Sequence, residues 1–129
     1  MGYERYTVVR VPFPFTDRTA TRNRPALVLS DAAAFNAPSG HSVMAMITSV
    51  ANPPWPLDCP LVDLASAGLP APSKVRFKLF TLDHRLVRGE LGRLGAADAE
   101  DVSAGLDRLL GRQGGEGQGV DGAADPVGT

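Results

Sequence analysis

The feature that most constrains this fold is a set of short apolar segments in the first half of the chain: Thr7 to Val11 (TVVRV), Ala26 to Leu29 (ALVL) and Val43 to Thr48 (VMAMIT). Each is too short for a core helix, and the first is dense in β-branched residues, so all three read as strands. Gly and Pro punctuate the gaps, with Pro12 and Pro14 closing the first segment and Asn36 to Gly40 (NAPSG) turning the chain ahead of the third. A Pro-rich loop, Asn52 to Pro56 (NPPWP), leads into an expected strand at Leu57 to Val62, and Ser73 to Leu79 supplies another. Only Asp98 to Leu110 has helical spacing. There Val102, Leu106, Leu109 and Leu110 share a face, Asp98 is placed to cap the start, and Gly111 stands where a left-handed C-terminal cap is common. Parallel strands need crossovers of about a dozen residues or more, usually helical, and no long helical pattern lies between these segments. The expected class is therefore α+β, mainly β: a small antiparallel barrel or strongly bent sheet with a C-terminal helix.

With 129 residues, 43% of them hydrophobic and 21% charged, the chain has core enough for one domain and is not disordered throughout. Residues 112–129 (RQGGEGQGVDGAADPVGT) hold six of the 14 glycines and no aromatic residue. The folded domain is accordingly assigned to residues 1–111 and a disordered Gly-rich tail to 112–129. The longest apolar run is Val43 to Ile47, far below the roughly 20 residues that cross a bilayer, and no apolar leader opens the chain. A cytoplasmic protein with no membrane partner is expected. Cys59 is the only cysteine and lacks the Cys and His company of a zinc site, so neither a structural metal nor a cofactor is expected.

Formal net charge is −1, which argues against nucleic-acid binding by bulk electrostatics. The average hides a gradient, because residues 1–24 carry five arginines against Glu4 and Asp17. Arginine outnumbers lysine 11 to 2, which suits bidentate phosphate contacts but is equally a signature of genomic base composition.

Three segments join polar groups to strand ends. Thr16 to Pro25 (TDRTATRNRP) is a polar loop ending in Arg24 at the mouth of a strand, where a guanidinium can clamp a phosphate or simply be solvated. Thr48 and Ser49 follow the apolar run Val43 to Ile47, where hydroxyls either orient phosphate oxygens or satisfy turn backbone. Arg76 and Lys78, two apart, share one strand face that is either an anion site or merely exposed. Trp55, among three prolines, is a candidate stacking platform for an unpaired base or a plug for the open end of the sheet. His41 and His84, the two histidines, have no nucleophile motif, and neither metal-ligand spacing nor a Gly-rich phosphate loop is present.

In order along the chain, VPFPFTD (Val11 to Asp17), RPALVLS (Arg24 to Ser30), FN (Phe35, Asn36), ITS (Ile47 to Ser49), AGLP (Ala67 to Pro70), PSKVR (Pro72 to Arg76), KLFTLD (Lys78 to Asp83) and LGRL (Leu91 to Leu94) resemble the PemK/MazF family of type II toxin-antitoxin toxins. The resemblance spans residues 7 to about 111. It implies an SH3-like antiparallel β-barrel of the CcdB/PemK/MazF kind that forms a homodimer, binds a cognate antitoxin and cuts single-stranded RNA, often mRNA, without metal. The implied products are 2′,3′-cyclic phosphate and 5′-OH ends. Arg24 and Thr48 match the positions most often implicated in catalysis; Ser49, Arg76, Lys78, Arg22, Asp17 and Trp55 make up the expected RNA-binding set. Two departures stand out. Where relatives open the first strand with Gly-Asp this chain has Tyr6 and Thr7, so that turn and carboxylate are not expected. Where some relatives carry an aspartate base this chain has Lys78, so no general base is assigned. The alternative functions are a non-catalytic binder of RNA or antitoxin and, further off, a CcdB-like gyrase inhibitor.

Overall fold

The computed structural model describes residues 3–13 and 22–112. Asp17, most of the Thr16 to Pro25 loop and the expected tail beyond Arg112 lie outside those residues. Six strands form one antiparallel sheet: β1 (Thr7–Phe13), β2 (Arg22–Val28), β3 (His41–Ser49), β4 (Cys59–Pro60), β5 (Ser73–Asp83) and β6 (Glu90–Arg93), in the order β4-β5-β3-β2-β1-β6. A helical turn, Ala32–Asn36, runs into the short α1 (Ala37–Ser39) between β2 and β3; α2 (Leu64–Ala67) precedes β5, and α3 (Ala96–Leu109) follows β6. The architecture is a mainly antiparallel β half-barrel with a C-terminal helix.

Both faces of the sheet centre are covered, which explains why the strands read as apolar runs instead of alternating with polar residues. Val8, Leu27, Ala45, Ile47, Val75 and Phe77 pack with Cys59, Leu61 and Val102 of α3 on one side. Val9, Val11, Ala26, Val28, Met44 and Leu82 pack under Tyr3, Phe80 and Val87 on the other. Asn36 of the FN motif is fully buried and knits the N-terminal segment to the β2–β3 connection. Its Nδ2 donates to the carbonyls of Tyr3 (2.7 Å) and Ser30 (2.9 Å).

The glycines of AGLP and LGRL meet in a single seam between α2 and β6. Gly68 ends α2 in the left-handed region (φ 72°), and a Cβ there would lie 2.7 Å from Leu91 C. A Cβ on Gly92 would overlap Ser66 O and lie 2.7 Å from Ala67 C. Backbone touches backbone at this seam, so neither position has room for a side chain.

Several boundaries differ from expectation. Pro12 does not close β1, which continues to Phe13: β6 pairs only with Thr7 to Val9, and Pro12 lies past that ladder opposite Asn23, where no amide is needed on the outer edge. The expected strand Leu57 to Val62 shrinks to Cys59–Pro60, because Asp58 and its neighbours are drawn into a tight turn. Helix α3 begins at Ala96 with Gly95 as its N-cap, not with Asp98. Asp98 is buried within the first turn, and its carboxylate accepts from the backbone N–H groups of Val62 (3.0 and 3.1 Å) and Asp63 (2.9 Å), tying the β4–α2 connection to α3. The buried stripe of α3 is Asp98, Val102 and Gly105, while Leu109 and Leu110 are exposed. Gly111 has φ 85°, as its place after the helix predicts. The turn into β1, unexpected without Gly-Asp, is nonetheless made: Thr7 N–H donates to Glu4 O (3.2 Å), and Tyr6 itself adopts a left-handed φ of 72°. The Arg5 guanidinium lies 4.6 Å from the Tyr6 ring centroid, one of the contacts that hold this residue there.

Candidate active site

Strand adjacency brings four of the expected residues to one cleft of about 280 Å³. Arg24 stands opposite Val11 on β2, on the same face as Phe13; Thr48 comes from β3; Arg76 and Lys78 come from β5. Phe13, Met46, Ile47, Leu79 and Phe80 complete the walls. The β3–β5 register jumps from Ala45↔Leu79 to Met46↔Arg76, leaving Phe77 and Lys78 in a bulge. Phe77 turns into the core there, while Lys78 lines the cleft. Three cations and no acid are among the lining residues, so the cleft suits a polyanion with apolar parts.

Arg24 carries the clearest chemical signal. Its Cζ lies 5.6 Å from the Phe13 ring centroid, and its Nε is buried without a hydrogen-bond partner among the described residues. A buried donor left unpaired costs about 1–3 kcal/mol, a cost that an incoming acceptor removes. Thr48 Oγ1 accepts a hydrogen bond from Asn52 Nδ2, which leaves its own proton to be donated elsewhere.

Arg76 is held from below by Asp58. Its Nε donates to Asp58 Oδ1 (3.2 Å) and its Nη2 to Asp58 Oδ2 (3.0 Å) and Pro53 O (2.6 Å). Lys74 Nζ reaches the same Oδ2 (3.0 Å) and Asn52 O (2.9 Å), and Trp55 N–H donates to that oxygen as well (3.0 Å). Burial alone raises the Asp58 carboxyl, but the hydrogen bonds from Arg76, Lys74 and the Trp55 backbone, with the Arg76 charge, outweigh it and hold the group below the usual aspartate range. The same pairing raises Arg76 above its ordinary value. Leu57, just before Asp58, has a left-handed φ of 66°. This strained backbone points Asp58 back at β5.

Trp55 stands at the rim of the cation cluster, 41% exposed and therefore not a plug, with Lys78 Nζ 4.4 Å and Arg76 Cζ 5.9 Å from its ring centroid. Ser49 lies outside the cleft and its Oγ accepts from Ala51 N–H (3.1 Å) in the turn. Arg22 is exposed at the start of β2, also outside the cleft, and Asp17 is beyond the described residues. The two histidines do meet polar partners: His84 Nε2 lies 2.7 Å from Ser42 Oγ, but Ser42 is fully buried and out of reach of a substrate. Asp58, Lys74 and Asn52 escaped sequence reasoning. The available signal was Asp58 itself, a carboxylate embedded in the apolar stretch Leu57 to Leu61, where a cation has to meet it. Among the described residues no three His, Cys, Asp or Glu side chains converge on a metal-sized space, and no helix is long and apolar enough to cross a membrane.

Fold and cleft together define a small half-barrel that presents arginine, lysine and hydroxyl groups from neighbouring strand ends. The family model described as PemK-like, MazF-like toxin of type II toxin-antitoxin system matches residues 4–110, and the chain belongs to that family. Among solved structures, MazF of Deinococcus radiodurans is 28% identical, with a TM-score of 0.66 over 86% of this chain and 98% of that one. A MazE–MazF complex from the same organism is 25% identical, with a TM-score of 0.68 over 88% of this chain and 100% of the other. An endoribonuclease in complex with its cognate antitoxin from Mycobacterial species, 19% identical, shares the fold with a TM-score of 0.66 over 86% of this chain and 95% of that one. No curated protein sequence matches the chain.

Proposed function

We propose that the chain is a metal-independent endoribonuclease toxin that cuts single-stranded RNA, including mRNA, at short sequences in the cytoplasm. The observation that carries this reading is the unpaired, buried Nε of Arg24, set in a cleft with Thr48, Arg76 and Lys78. In the proposed reaction the ribose 2′-OH attacks the adjacent phosphorus and loses its proton to water. The P–O5′ bond breaks and water returns a proton to the leaving O5′, giving a 2′,3′-cyclic phosphate on one fragment and a 5′-OH on the other. Arg24 donates to the phosphoryl oxygens as their charge grows, and Thr48 donates a further hydrogen bond. Arg76 and Lys78 hold flanking phosphates, so positive side chains supply the charge stabilisation. The Asp58 carboxylate is committed to four donors, two from Arg76 and one each from Lys74 and the Trp55 backbone, and is not assigned as the proton acceptor.

A homodimer and a cognate antitoxin complete the proposal. An extended acidic and apolar antitoxin segment matches a cleft with three cations and walls of Phe13, Leu79 and Phe80, and it would exclude RNA by occupying the same place. The test is Arg24→Ala, compared with wild type on a long single-stranded RNA in EDTA. Losing one preorganised donor to a developing oxyanion costs about 100- to 1,000-fold in rate. A folded variant that cuts at the wild-type rate would remove Arg24 from the mechanism.

A further inference from the structure

We infer that Asp58 is a positioning residue that builds a stacking site for one unpaired RNA base, by locking Trp55 and Arg76 into a single rigid unit beside the cleft. This deepens the ribonuclease reading and rests on it.

Four observations meet at this carboxylate. Both of its oxygens engage Arg76, Nε on one and Nη2 on the other, which fixes the plane of the guanidinium. Arg76 Nη1 makes no hydrogen bond to a described residue, so its two protons remain for a phosphate at the cleft it lines. The second Asp58 oxygen also accepts from Trp55 N–H, while Asp58 N–H donates back to Trp55 O (3.1 Å), closing the Trp55 to Asp58 turn from both sides. Lys74, 7% exposed, ties the same oxygen to Asn52, whose side chain holds Thr48.

The consequence is an aromatic ring placed by its backbone and flanked by cations. Lys78 Nζ occupies a position over the ring, and the 41% exposure of Trp55 leaves further surface open to solvent. A base stacked on that open surface would place its own phosphate within the field of Arg76 and Lys78. Stacking on an indole is open to any base, and specificity enters only if the base is unpaired. A double-stranded RNA has no free base to offer, so the site selects single strands.

Trp55 is the only tryptophan in the chain, so intrinsic fluorescence reports on this position alone. The experiment uses the full chain and 2′-O-methyl decamers, which lack the attacking hydroxyl, tiled along an RNA that the wild-type protein cuts. Decamers covering a cut site are expected to change Trp55 fluorescence saturably in the wild type. In Asp58→Asn the titration midpoint should rise at least about tenfold, and cleavage should fall about 10- to 100-fold, the scale on which small misplacements act. Because Asp58→Asn leaves Lys74 buried without its carboxylate, Asp58→Asn/Lys74→Met serves as a second variant that removes the Lys74 charge as well, and circular dichroism verifies its fold. The same rise in the titration midpoint is expected. Cleavage by the wild type with no change in Trp55 fluorescence on binding would overturn the stacking site and leave the ribonuclease reading intact. A wild-type fluorescence response kept by both folded variants would overturn the role of Asp58. No cleavage by the wild type would overturn the parent reading and this inference with it.

Discussion

Gly92→Ala turns the α2–β6 seam into a measurable quantity. Gly92 has no left-handed φ, so alanine meets no intrinsic backbone penalty there and, in a strand, would otherwise gain about 0.5–1 kcal/mol over glycine. Against that gain, the new methyl would sit 2.7 Å from Ala67 C, and closer still to Ser66 O. Ordinary carbon contacts begin near 3.5 Å, so α2 has to retreat by roughly 1 Å from β6. Overpacking of this kind costs about 1–3 kcal/mol, and backbone cannot rotate aside as a side chain can, which places the cost at the upper end. The net expectation is a loss of about 2 kcal/mol, or a fall in Tm of roughly 8–16 °C at the scaling for domains of this size. Thermal and urea unfolding followed by far-UV circular dichroism measure it. Gly40→Ala is the control: its φ of 70° is left-handed but nothing lies within 4 Å of the added Cβ, so only the backbone penalty of about 1–2 kcal/mol applies. A Gly92→Ala protein that melts at or above the wild-type temperature would refute the seam as the reason for both glycines.

Thr48→Val removes the hydroxyl with little change in shape; the rate of RNA cleavage should fall about 10- to 100-fold, Tm should stay close to wild type, and Thr48→Ser should keep most of the activity. Single-turnover cleavage and melting of the three proteins decide it. Asp58 also gives a pH signature. Its folded-state carboxyl is lowered, so its stabilising contribution is complete above the ordinary aspartate value, near pH 4, and is lost only as the pH falls further towards the folded-state value. Urea unfolding of wild type and Asp58→Asn should therefore differ by a constant amount from pH 5 to 8 and converge below about pH 4. A difference that varies between pH 6 and 8 would contradict the ionised, cation-bound state.

What was legible in the sequence follows the range of the forces involved. Gly111 marks the end of α3 by a local backbone demand, and the apolar runs at Thr7, Ala26 and Val43 mark strands by composition, so both were readable residue by residue. Strand β6 was not, since Glu90 to Arg93 (ELGR) has one leucine and becomes a strand only by pairing with β1 and packing Gly92 on α2. Asp98 was misread as a cap because its actual partners, the amides of Val62 and Asp63, are more than 30 residues away. Tyr6 was misread for the same reason: the turn needs a left-handed residue, and backbone hydrogen bonds to the distant Val28 and Leu94 hold tyrosine in that conformation.

Within the candidate site, Arg24, Thr48, Arg76 and Lys78 could be nominated one by one from strand ends, but their meeting depends on β2, β3 and β5 being neighbours. The two-residue jump in the β3–β5 ladder has no counterpart in the hydrophobic pattern. Asp58 is a sharper case, since its contacts with Lys74 and Arg76 require the turn at Leu57. Ser49 looked equivalent to Thr48 in sequence and is not: one hydroxyl lines the cleft, the other serves the following turn.

The most direct test of the central claim is to incubate the purified chain with a long single-stranded RNA in EDTA, map the cut sites and identify the chemistry of both ends, with Arg24→Ala alongside. The account predicts cuts at a recurring short sequence, 2′,3′-cyclic phosphate and 5′-OH termini, and loss of cutting in the folded variant. RNA that is bound but left whole, or cutting that survives Arg24→Ala unchanged, would contradict it.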